Sequence, residues 1–127
     1  MEIRDIRLVG TTSAGGALTV TSTEYVKGFL YNVEWIDGDF SDGVDAVLSV
    51  TETPEGVDKT LLTLTDANND DTYYPRDIVH DLAGGALTGT AGGDREKLLI
   101  NGKLKLVVAD GGATKEGGCI AYILEDE

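Results

Sequence analysis

The stretch "DANNDDTYYPRD" places Asp66, Asn68 and Asp70 at alternating positions, with Thr72, Tyr74 and Asp77 where the later ligands of a calcium-binding loop would fall. Hard oxygen donors at that spacing could wrap a divalent cation. The pattern breaks where such a loop is least forgiving. Asp71 stands where the sharp turn needs glycine, and the closing position is Asp77, one methylene shorter than the glutamate that binds through both oxygens. The plainer reading is a solvated hairpin loop between "TLLTLTD" and "TYYP".

Covalent catalysis has little to work with. His80 is the only histidine, so any serine or cysteine triad would be built around it. Cys119 and the serines Ser13, Ser22, Ser41 and Ser49 sit in no nucleophile-elbow or protease context. A zinc site needs several His or Cys ligands, and the chain has one of each. A carboxylate pair for glycoside hydrolysis could be drawn from the 23 acids, but nothing singles out two of them. No catalytic residue, metal set or cofactor is therefore expected. Cys119, within "CIAYIL", is expected to be a buried thiol that acts as a small hydrophobe.

Contact chemistry is better represented. Tyr25, Tyr31, Trp35, Tyr73, Tyr74 and Arg76 are residue types that anchor interfaces, and aromatic rings also stack on sugars. Trp35 lies in an alternating stretch and reads equally as a core residue. The 23 acidic against 10 basic residues give a formal charge of −13, which repels phosphate and anionic lipid. Nucleic acid and membrane surfaces are excluded as partners on that ground. The acids are spread along the chain and predict a soluble surface. The start "MEIRDIR" has neither the basic region nor the apolar stretch of a signal peptide, and no run approaches the roughly 18 apolar residues of a membrane span. Synthesis in a cytoplasm is expected.

These side chains must be carried by strands. Apolar residues recur every second position at Leu18 and Val20 and again at Phe29, Tyr31, Val33 and Trp35. Further blocks are "AVLSVTE", "KTLLTLTD", "KLKLVVA" and "CIAYILE", separated by turn-rich segments such as "IDGDFSDG" and "ADGGATKEGG". The 127 residues, 41% apolar, fit one domain. The pattern predicts an all-β fold, a jelly-roll-like β-sandwich of seven to nine short antiparallel strands over residues 1–127, with 1–12 as an interacting N-terminal arm. Asn101-Gly102 is the best hairpin turn, although pairing outward from it sets Ile100 against Lys103 and Lys97 against Leu106. The one helix start, Asp94 ahead of Leu98, is weak.

One octet is written almost twice, "AGGALTVT" from Ala14 to Thr21 and "AGGALTGT" from Ala83 to Thr90. Sliding the chain by that offset aligns only scattered single residues elsewhere: Val44 to Thr51, a strand, falls on "ATKEGGCI", a turn. Duplication is thus excluded. A phosphate loop needs glycines that lead into a helix, whereas both copies lead into Leu-Thr-x-Thr. Both are read as a glycine bend that starts a strand.

"TDANNDDTYYPRD" followed by "GKLKLVVADGGATKEGGCIAYIL" resembles small structural proteins of tailed bacteriophage particles, in which a Tyr-Pro-Arg segment precedes a Leu/Val-rich strand and a Gly-Gly turn. The likeness runs from Leu61 to Leu124. In size and character it is nearest to capsid decoration, or cement, proteins. The resemblance implies a compact β-sandwich without catalysis or cofactor that binds the major capsid protein on the outer shell and self-associates as a homotrimer. It also implies a virion location after synthesis in the host cytoplasm. Arg4 and Arg7, with Tyr73, Tyr74 and Arg76 of the "YYPR" loop, are then the candidate interface residues. The alternatives are a tail or baseplate component, or a carbohydrate-binding β-sandwich module with Tyr73 or Tyr74 as its platform. A small hydrolase would need two carboxylates flanking a cleft.

Overall fold

The computed structural model describes residues 2–54, 56–78 and 95–125. Period-two patterning becomes strands with one face in. In β4 (Asp45–Thr51), Ala46, Leu48 and Val50 are buried while Val47 faces out. The other strands are β1 (Glu2–Thr11), β2 (Leu18–Thr21), β3 (Val26–Ile36), β5 (Lys59–Leu64), β6 (Asp71–Tyr73), β7 (Arg76–Ile78), β8 (Arg95–Ala109) and β9 (Glu116–Glu125). Every pairing between them is antiparallel, and the described residues contain no helix. The fold is all-β and sandwich-like, as the pattern predicts.

Hydrogen-bonded order runs β1-β9-β3-β8-β4-β5, with β2 and β7 also on β8 and β6 also on β3. β8 belongs to both layers. Its residues 98–102 pair with β3, whereas 103–109 pair with β4, and 105–108 also hold β2 on the opposite edge. We call the β1-β9-β3 side the first layer and the β2-β8-β4-β5 side the second. The core between them takes Leu8, Leu30, Val33, Ala121 and Ile123 from the first layer, and Leu48, Val50, Leu104, Leu106 and Val108 from the second. Trp35 is buried there, as its core reading has it. Its ring stacks on Phe40 with centroids 5.6 Å apart, and Nε1 donates to the Ala67 carbonyl at 2.9 Å.

Asn101-Gly102 is not a turn. β8 passes straight through it, and this pair is the point at which the strand leaves one layer for the other. A Cβ on Gly102 would lie 2.6 Å from the Thr51 carbonyl oxygen and 2.7 Å from Val50 Cγ1. The glycine is there for the close approach of β4, not for positive φ, and the mixed ladder that a hairpin would have required never forms.

The first octet behaves as a bend into a strand. Gly16 has φ +85°, its amide donates to Ser13 O at 3.0 Å, and β2 starts two residues on. The second octet (83–90), His80 and Asp94 lie outside the described residues. The segment expected as an N-terminal arm is a strand of the first layer: β1 pairs with β9 from Glu2↔Glu125 to Thr11↔Glu116. Thr12 anchors its end, its buried hydroxyl donating to Gly112 O at 2.6 Å and accepting from the Lys115 amide at 2.8 Å.

Candidate protein-docking face

The strand registers align four apolar residues across the outside of the first layer. Ile3 is opposite Leu124, Leu124 is opposite Phe29, and Phe29 is opposite Leu99, so one row crosses β1, β9, β3 and β8. Their sequence neighbours Leu30, Leu98 and Ile123 are buried, which forces this set outward. Ile3 is 71% exposed, Phe29 44% and Leu99 58%. Single exposed apolar residues are ordinary, whereas four in one row across neighbouring strands make a candidate contact surface.

A register shift between Leu30 and Asn32 turns Tyr31 outward beside this row. Its ring meets that of Tyr74 edge-on, with centroids 6.0 Å apart and planes at 87°. The Arg76 guanidinium sits 5.8 Å from the Tyr31 ring and 6.0 Å from the Tyr74 ring, and Nη1 donates to Tyr31 O at 2.9 Å. Lys27 and Lys97 lie two residues before Phe29 and Leu99, and Arg76 is in register with Lys97. On a chain of formal charge −13, the row is thus bordered by three cations and by Asp5. Further along the face the pairs turn polar: Asp5 is opposite Tyr122, and Arg7 is opposite Ile120, which faces Glu34. Desolvation, then the Glu34 and Asp5 carboxylates, hold the Tyr122 phenol above its ordinary pKa, with Arg7 opposing them.

The five sequence candidates separate. Tyr74 and Arg76 come together on Tyr31, and Arg7 is exposed on the same outer face. Arg4 points the other way, half-buried at the sandwich rim, where it pairs with Glu24 and, at 3.3 Å, with Glu125. Tyr73 is opposite Val33 and packs against the core. Ile3, Phe29, Leu99 and Leu124 were not among the candidates. Their signal is the apolar doublets Phe29-Leu30, Leu98-Leu99 and Ile123-Leu124: in a strand, two large apolar neighbours make both faces apolar.

The donors of the calcium-like stretch brace loops. Asp70 Oδ1 accepts from the Asp37 amide at 2.8 Å, and Asn68 Oδ1 from the Gly43 amide at 2.7 Å; the Asp66 amide donates to Asp45 Oδ1 at 3.0 Å. Desolvation, then the Asp70 and Asp42 charges, raise the pKa of Asp37. Among the described residues, no group of three or more His, Cys, Asp or Glu is placed to hold a metal ion. A small cavity within the core is walled by side chains including Val33, Trp35, Leu48, Leu106 and Cys119.

Fold and face together define an all-β, sandwich-like domain with an apolar row across one end of an outer sheet face. No protein-family model matches the chain, and no curated protein matches it. Among solved structures it is similar to a chain in the structure of infectious bursal disease virus Gx strain, at 12% identity and a TM-score of 0.38. The match covers 96% of this chain and 37% of that one.

Proposed function

We propose that this chain is a non-catalytic structural protein of a virus particle, and more specifically a decoration protein that binds the major capsid protein on the outer surface of a tailed-phage head and stabilises it. The observation that supports the reading is the apolar row Ile3–Leu124–Phe29–Leu99 on the outer face of a strongly acidic chain. Contact burial on that face drives association, and the Lys27, Lys97 and Arg76 border selects an acidic or neutral patch on the shell. Weak contacts repeated over a symmetric lattice add through multivalency. The acidic remainder keeps the protein off the packaged DNA.

The test is co-sedimentation of the purified protein with heads that lack it. Wild type is expected to saturate the heads at a fixed stoichiometry, and Phe29→Asp with Leu99→Asp to remove binding while circular dichroism stays unchanged. Undiminished binding of that double variant would sink the reading. The Tyr31–Tyr74–Arg76 cluster favours a second reading, a carbohydrate-binding β-sandwich module. Glycan binding lost on Tyr74→Ala, with no affinity for heads, would select it.

A further inference from the structure

We infer that β1 is also a self-association edge, at which two copies of this chain pair antiparallel about a two-fold axis and continue the first layer from one copy into the other. Among the described residues β1 pairs with β9 alone and ends the strand order. An open groove lined by Arg4, Asp5, Ile6, Arg7, Ser22, Thr23 and Glu24 runs beside it. An edge of this length is a template for another strand unless its side chains forbid pairing.

Of the four registers centred on Arg4, Asp5, Ile6 or Arg7, one alone sets opposite charges against each other. A two-fold antiparallel pairing must match residues of like parity. Centring it on Arg4, Asp5 or Arg7 sets that charge against its own copy. Centring it on Ile6 sets Asp5 of one copy opposite Arg7 of the other, twice, with Ile6 opposite Ile6 and Ile3 opposite Val9. Asp5 and Arg7 are both exposed and both on the outer face, so the two ion pairs form on one side of the joined sheet. Arg4 stays engaged with Glu24 and Glu125 of its own chain. The contact is isologous and closes as a dimer, whereas a trimer would need a different, head-to-tail surface.

Sedimentation equilibrium of the isolated full chain tests this without any capsid, so its outcome is separate from that of head binding. The expected species has twice the chain mass of 13.4 kDa. Asp5→Arg alone and Arg7→Asp alone each place like charges opposite one another and should raise the dimer dissociation constant at least about tenfold. The double variant Asp5→Arg with Arg7→Asp swaps the pairs and should return the constant to near the wild-type value. A monomer at millimolar concentration, a trimer, indifference to the single changes, or failure of the swap to restore pairing would each overturn the inference.

Discussion

Phe29 and Leu30 are adjacent on β3 and serve opposite surfaces: Phe29 faces out opposite Leu99, and Leu30 is fully buried in the core opposite Leu98. Truncating them should therefore have unequal effects. Leu30→Ala leaves a cavity between the layers and is expected to cost about 2–5 kcal/mol. Phe29→Ser removes a half-exposed ring and should change stability by less than about 1 kcal/mol. Urea unfolding reads both, as a shift in midpoint at constant slope.

Gly102→Ala is expected to destabilise by about 1–3 kcal/mol, because the added methyl would stand 2.6 Å from the Thr51 carbonyl oxygen, a backbone atom that cannot swing aside. A thermal midpoint equal to wild type would mean that β4 has room to yield at this crossing.

Burial pushes the Cys119 thiol up to about 12 from 9.0. The folded state then keeps its proton over a range in which the unfolded chain has lost it. The thiol's own contribution to stability is constant well below pH 9 and falls as the pH rises from about 9 to 12, by about 1.4 kcal/mol per pH unit at most. Cys119→Ala should remove that slope while losing a little core packing at neutral pH. Chemical denaturation at pH 7.5 and pH 10.5 for both proteins checks it; parallel losses in the two would assign the alkaline effect to other groups.

The all-β class, the sandwich-like layering and the burial of Trp35 and Cys119 were legible because a period of two is written locally, residue by residue. The docking row was not, since it exists only after four strands from distant parts of the chain take their registers. Even so, its doublets could be seen at Phe29-Leu30 and Leu98-Leu99. Asn101-Gly102 misled for a related reason: the pair has the local chemistry of a hairpin turn, but the steric demand on Gly102 comes from β4, some fifty residues earlier. Arg4 and Tyr73 likewise look like free contact residues in isolation, and it is Glu24, Glu125 and the core that occupy them. Tertiary partners decide what a strand residue is for.

Because β8 threads both layers, neither sheet is a separable leaf. Prising the halves apart strips ladder bonds from a backbone that each half needs, so the sandwich resists opening like a book and yields, when it yields, all at once. A domain jointed this way transmits a pull on one surface to the other through covalent chain, which is how a rivet carries load.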